Sequence, residues 1–222
     1  MTTVKIDGTA PLTLASVKAL ADVCDQAEDR SSGDVGGRVI TARVTGRPGP
    51  GWTEGLNVAL VTKWERALRR LERLPAATVA VATGETGGPA LDVFLAADIR
   101  LATPDARLLV ATDGEATWPG MAAYRLVQQA GTARVRRAVL FGVPIPADEA
   151  HELGIVDELT EDPDAALTSV ARLAGELSGK ELAIRRQLLF DATSTSFEDA
   201  IGSHLAACDR ALRRTAAVVD AR

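Results

Sequence analysis

Residues 78–89, TVAVATGETGGP, restrict the fold of this chain more than any other segment. TVAVAT, residues 78–83, is a short apolar run bounded by turn signals, the pattern of a strand buried on both faces of a parallel sheet. GETGGP, residues 84–89, reads as a glycine-rich turn. Pro89 suits the first position of a helix, which the pattern extends to about Ala97. IRLA, residues 99–102, then resumes strand character. Strand, turn, helix and strand in so short a span make a β-α-β unit, and such units build α/β sheets covered by helices.

The flanking sequence continues the alternation. TVKID, residues 3–7, predicts a strand, and Val17, Leu20, Ala21 and Cys24 lie on one face of a helix over 13–28. DRSSGDVGG, residues 29–37, reads as a loop, and RVITARVTG, residues 38–46, as a strand. Two prolines and two glycines in RPGPG, residues 47–51, forbid regular structure. Thr53 is a candidate cap for a helix running to about Leu74. That helix carries an apolar stripe of Leu60, Val61, Trp64, Ala67, Leu68 and Leu71, and a basic face whose default is solvation. Beyond the central unit, 107–111 and 155–159 predict strands, and 120–130, 132–141, 147–153, 164–178, 180–190 and 197–219 predict helices. An α/β core over 1–160 followed by a helical region over 161–222, packing on the core or on a neighbouring subunit, is the expected organisation.

Composition narrows the function. A net charge of −5 and 4% aromatic residues argue against a nucleic-acid surface. Cys24 and Cys208 are far apart and show no metal-binding spacing, so no metal site is expected. The start, MTTVKIDGTA, lacks a secretory pattern, and no apolar run reaches membrane-spanning length, so a reduced cytoplasmic setting is expected. There is no G-x-S-x-G elbow, and the glycine turn is neither G-x-G-x-x-G nor a phosphate loop. With His151 and His204 the only histidines, a histidine-dependent mechanism is disfavoured. The glycine turn before a helix start presents backbone N–H groups that could hold an anion or polarise a carbonyl oxygen; a turn that needs glycine only for its shape is the alternative.

Three segments together resemble the crotonase superfamily, the enoyl-CoA hydratases and isomerases. TVAVATGETGGPALDVFLAADIRLA looks like that family's strand, glycine turn and helix, ending in an A-x-D-x-R-x-A pattern at Ala96, Asp98, Arg100 and Ala102. WPGMAAYRLVQQAG, residues 118–131, and LFGVPIPADEAHELGIVDEL, residues 140–159, resemble two further family stretches. The resemblance implies an α/β fold, a crotonase-like repeated ββα spiral with a short helical C-terminal region. It also implies an acyl-CoA substrate, with coenzyme A as part of that substrate and no separate cofactor, and a trimer or hexamer of the chain. WERALRRLERLP, WPGMAAYRL and RRAVLFG are similar to the accessory hydratases of dihydroxyphenylglycine assembly in glycopeptide antibiotic producers. That narrower resemblance implies a type III polyketide synthase as partner.

The resemblance also nominates residues. The family's oxyanion hole has one donor in a loop before a helix, placed here in PGPGWTEG, with Gly51 or Trp52 as the donor. The other belongs to a glycine triplet that aligns with Gly88, Pro89 and Ala90. Pro89 takes the middle position and has no N–H, so Ala90 is the substitute. The first family glutamate aligns with Asp92, a carboxylate one methylene shorter, and the second aligns with Thr112, which is no base near neutral pH. Glu115 and Asp113 are the nearby carboxylates. Asp92 and Glu115 are therefore the catalytic candidates, with Gly51, Trp52, Gly88 and Ala90 binding the thioester oxygen. Asp92 could instead serve the helix dipole, and Glu115 could be a solvated loop residue. Asp98 and Arg100 read as structural. Arg43, Arg47 and Arg66 are candidate phosphate contacts.

Overall fold

The computed structural model describes residues 2–29, 39–175 and 179–220. The loop expected at 29–37 lies outside these, apart from Asp29. In chain order the elements are β1 (Thr2–Asp7), α1 (Leu14–Asp29), β2 (Val39–Gly46), α2 (Val58–Leu71), β3 (Ala77–Gly87) and α3 (Pro89–Leu95). There follow β4 (Ile99–Ala102), β5 (Arg107–Leu109), a hairpin of β6 (Thr112–Asp113) and β7 (Ala116–Thr117), α4 (Met121–Ala130) and α5 (Thr132–Phe141). The chain continues through β8 (Ile145–Pro146), α6 (Ala147–Glu152), β9 (Glu158–Leu159), α7 (Pro163–Gly175), α8 (Lys180–Asp191) and α9 (Phe197–Asp220).

Strands β1, β2, β3, β4 and β9 lie side by side in that order, all parallel, as β-α-β connections require. The side-chain period of two sorts β3 between two cores. Ala80 and Ala82 face a large cluster built from α1, α2 and α3, where Leu20, Trp64, Leu68 and Phe94 are fully buried. Val79 and Val81 face a second cluster closed by Ala166, Leu167 and Val170 of α7. Burial of each large side chain contributes roughly 1.5–3 kcal/mol. The sheet is therefore a middle layer, and the expected α/β fold with a C-terminal helical region is observed.

Three local expectations are corrected. The turn expected at 84–89 is partly strand. Gly84, at φ 58°, lets β3 bend and change neighbour, so Glu85–Gly87 pair in parallel with Arg107–Leu109 of β5. The helix expected from Thr53 begins at Val58 instead. The Thr53 hydroxyl donates to Asp113, Gly55 takes a φ of 79°, and Asn57 caps the helix by accepting from the Leu60 N–H at 2.9 Å. The strand expected at 155–159 is reduced to its last two residues. The Ile155 and Val156 N–H groups both go to the Ala150 carbonyl and finish α6 rather than join the sheet. Elsewhere, no helix among the described residues is long and apolar enough to cross a membrane.

Arg186 fastens α8 to the core. Its buried guanidinium donates to the carbonyls of Glu72 (3.2 Å), Leu74 (2.7 Å) and Ala76 (2.9 Å), and to both oxygens of Asp98 (2.5 and 2.6 Å). Asp98 also accepts from the N–H and hydroxyl of Thr78, each at 2.9 Å, which fits its structural reading. Helix α9 meets α8 through Arg210 and Arg214, both 2.8 Å from Glu181, and leaves Phe197, Leu205 and Leu212 largely exposed.

Candidate active site

The site grows from the end of β3. Gly88 follows the strand at φ 53° and ψ −130°, and its Cα lies so close to Pro48 that an added Cβ would stand 2.4 Å from the Pro48 ring. Pro89 opens α3, and the first bond of the helix runs from the Asp92 N–H to the Gly88 carbonyl at 3.0 Å. Asp92 thus sits in the first turn, where the helix N-terminus favours a carboxylate.

That benefit is overridden. One Asp92 oxygen accepts from the Trp64 indole N–H at 2.9 Å, and the surroundings are otherwise mostly apolar. Burial, and then the nearby negative charge of Glu65, push the Asp92 carboxyl up to about 7; the Trp64 hydrogen bond and the Arg125 charge oppose them. A carboxyl that would ordinarily give up its proton well below neutral pH here holds it more tightly.

Asp92 lines a small cavity of about 30 Å³ with Trp52, Trp64, Glu65, Gly88 and Trp118 among its walls. A cavity needs roughly 10–15 Å³ to hold a water, so this one has room for little more than a water molecule. Trp52 closes one side. Its indole N–H donates to the Thr112 carbonyl at 2.8 Å, and its ring meets Trp118 edge to face at 5.2 Å. Leu56, Val61, Glu65 and Trp118 form the wall shared with a much larger groove of about 1260 Å³. That groove runs between α2, α4 and α8 and carries Arg66, Arg69, Tyr124 and Phe190 on its sides.

The sequence candidates are thus divided by the fold. Asp92, Gly88 and Trp52 meet around one cavity, together with Pro89 and Leu91. Gly51 lines neither the cavity nor the groove, and its carbonyl closes a turn with the Glu54 N–H. Ala90 is fully buried and is not on the cavity wall. Glu115 is exposed at the tip of the β6–β7 hairpin and does not reach Asp92's cavity. Asp113, its alternative, is engaged by the Thr53 hydroxyl, and the Thr112 methyl faces Gly142. Of the three candidate phosphate contacts, Arg43 pairs with Asp164, Arg47 pairs with Glu85 at 2.8 Å, and Arg66 lines the groove. Among the described residues no group of three or more His, Cys, Asp or Glu side chains is placed to hold a metal.

Two residues absent from the candidate set belong here. Glu65 lies on α2 immediately after Trp64, and its Oε2 accepts from Arg125 Nη1 at 3.0 Å. The Arg125 Nε donates to Glu72 Oε1 at 2.7 Å, so one buried guanidinium from α4 holds two carboxylates, one on α2 and one just past its end. Burial also pushes the Glu65 carboxyl up, against the pull of Arg125. The sequence did carry a signal: Glu65 sits beside the apolar stripe, one turn from Val61 and from Leu68, where a solvated face would not place it.

Known proteins share this sequence and this fold. The sequence profile described as "Enoyl-CoA hydratase/isomerase" matches residues 56–220. A protein of Amycolatopsis orientalis called "Enoyl-CoA-hydratase" is 56% identical over 213 residues, which cover 96% of each chain. Among solved structures, an enoyl-CoA hydratase/isomerase from Marinobacter aquaeolei superposes with a TM-score of 0.80 over 99% of this chain and 93% of that one, at 18% identity. An enoyl-CoA hydratase from Mycobacterium smegmatis gives a TM-score of 0.78 over 99% and 92%, also at 18% identity. At that identity the likeness speaks for the fold.

Proposed function

The chain belongs to the enoyl-CoA hydratase/isomerase family, and from that membership and the site we propose that it interconverts a 3-hydroxyacyl thioester of coenzyme A and its enoyl counterpart, with Asp92 moving the C2 proton. The observation that carries this reading is the Asp92 carboxyl, held against Trp64 beside a water-sized cavity with a pKa near 7. A carboxyl whose proton affinity is raised toward working pH can both take and return a proton, the condition for general acid–base catalysis. Coenzyme A enters as part of the substrate.

A narrower reading concerns the acyl group. The likeness of WERALRRLERLP, WPGMAAYRL and RRAVLFG to the accessory hydratases of dihydroxyphenylglycine assembly supports a polyketide thioester, handled with a type III polyketide synthase on the way to dihydroxyphenylacetyl-CoA. The exposed apolar face of α9 supports assembly with further copies of the chain or with that synthase. Pro89 and Thr112 favour a second reading, a crotonase-fold accessory subunit that aids the synthase without chemistry of its own.

The test is turnover of crotonyl-CoA by the wild type and by Asp92→Asn. The expected outcome is measurable hydration by the wild type and a loss of about 10²-fold or more in the variant. The near-isosteric amide can still accept from Trp64, so the cooperative melt should survive. A wild type without turnover, whose stimulation of the synthase is unchanged in Asp92→Asn, would establish the accessory reading instead.

A further inference from the structure

We propose that Glu65 is the second proton-handling group of this site, lining the small cavity together with Asp92. The inference rests on the thioester reading above. Loss of water from a 3-hydroxyacyl thioester removes a proton from C2 and delivers one to the oxygen leaving C3. Two protons move at two atoms, and two carboxyl groups line the one cavity.

The geometry assigns the partner role to Glu65 rather than to Glu115. Glu115 stands on an exposed hairpin tip, whereas Glu65 lines the cavity with Asp92. Glu65 is also the carboxylate common to the cavity and the open groove, so it can exchange protons with solvent from the groove side. Helix α2 presents the two functions from successive residues. Trp64 holds the Asp92 carboxyl at 2.9 Å, and Glu65 is held at 3.0 Å by Arg125. Arg125 engages Oε2, and Oε1 makes no hydrogen bond among the described residues. Burial raises the proton affinity of both carboxyl groups, and the charge of Glu65 raises that of Asp92 further, the condition under which one member of a pair serves as acid and the other as base.

In the dehydration direction the Asp92 carboxylate takes the C2 proton and the C2–H electron pair becomes the second bond of the alkene. The C3–O bond breaks, and protonated Glu65 gives its proton to the departing oxygen, which leaves as water. Asp92 ends protonated and Glu65 ionised. One proton passed back through a cavity water resets the pair. Hydration is the same sequence reversed.

The experiment separates the two protons. Exchange of the C2 protons of butyryl-CoA with D₂O needs only the Asp92 step, because butyryl-CoA has no C3 oxygen. Hydration of crotonyl-CoA needs both. In Glu65→Gln the expected result is exchange within about threefold of the wild type and hydration lowered about 10²-fold or more; in Asp92→Asn both should fall. Hydration by Glu65→Gln at the wild-type rate overturns the proposal. So does an equal loss of exchange and hydration with the melt retained, which would make Glu65 a support for the site as a whole. Should Glu65→Gln lose its cooperative melt, Glu65→Asp keeps the charge against Arg125 and carries the same comparison. There the expected result is exchange retained and hydration lowered about tenfold, and unchanged hydration overturns the proposal. A wild type that neither exchanges nor hydrates removes the thioester reading, and the pair with it, and is told apart by failing with Glu65 intact.

Discussion

Asp92 is held between two opposing influences, and the balance has a consequence for stability. The helix N-terminus and the Trp64 N–H favour the charged form, while burial and Glu65 disfavour it and prevail. A carboxyl whose folded pKa lies above its unfolded value binds more protons in the folded state over the interval between the two. Folding stability therefore falls as pH rises from about 4 to about 7 and levels off above. Asp92→Asn has no such titration. Urea denaturation of both proteins across this interval should show the variant gaining on the wild type as pH rises, by on the order of 2–4 kcal/mol in total. A constant difference between them would show that Asp92 ionises normally. Asp92 was legible as a site residue because a motif position and an apolar neighbourhood coincide there. Glu65 was legible only as a carboxylate beside an apolar stripe, because nothing in one helix shows that Asp92 from another will line the same cavity.

At the scale of elements, the junction between α8 and the core depends on one side chain. Arg186 supplies donors to three carbonyls where α2 leads into β3, and to Asp98 at the start of β4. In Arg186→Met those carbonyls lose their donors and Asp98 keeps only Thr78, so the expected cost is about 3 kcal/mol or more. The midpoint of urea unfolding checks this, and a shift within error would show that α8 docks by apolar contact alone. Helix α8 also supplies Leu189 and Phe190 to the groove, so its position shapes the groove wall. The sequence shows α8 as a helix but carries no sign of this anchor, because its acceptors are backbone carbonyls more than a hundred residues earlier in the chain.

For the whole molecule, α9 leaves the most conspicuous apolar surface. Phe197, Leu205 and Leu212 are 75%, 60% and 71% exposed on a 24-residue helix that meets the rest of the chain through α8. Exposed apolar side chains in a row on one helix are the surface on which we predict that another chain docks. Light scattering should give a mass above that of one chain at micromolar concentration, and Leu205→Glu combined with Leu212→Glu should lower it towards one chain with the melt retained. A single-chain mass for the wild type, with no binding to the synthase, would remove assembly through α9.

Composition, period and turn chemistry determined the elements: β-branched content gave β2, a short apolar run between turn signals gave β3, the helical stripe gave α2, and Pro89 after glycine marked the start of α3. The order of strand and helix determined the α/β class, since parallel neighbours need helical crossovers. What the chain does not encode locally is the company each residue keeps. Whether Thr53 or Asn57 capped α2 was decided when Asp113, far along the chain, engaged the Thr53 hydroxyl. That Glu65, and not Glu115 or Thr112, would line the cavity with Asp92 was decided by the Trp64–Asp92 bond that sets α2 against α3 and by the hairpin carrying Glu115 out to solvent. Charge behaves in the same way. A carboxyl's proton affinity depends on burial and on charges a few ångströms away, and for Asp92 both arise only when Trp64, Glu65 and Arg125 close around it.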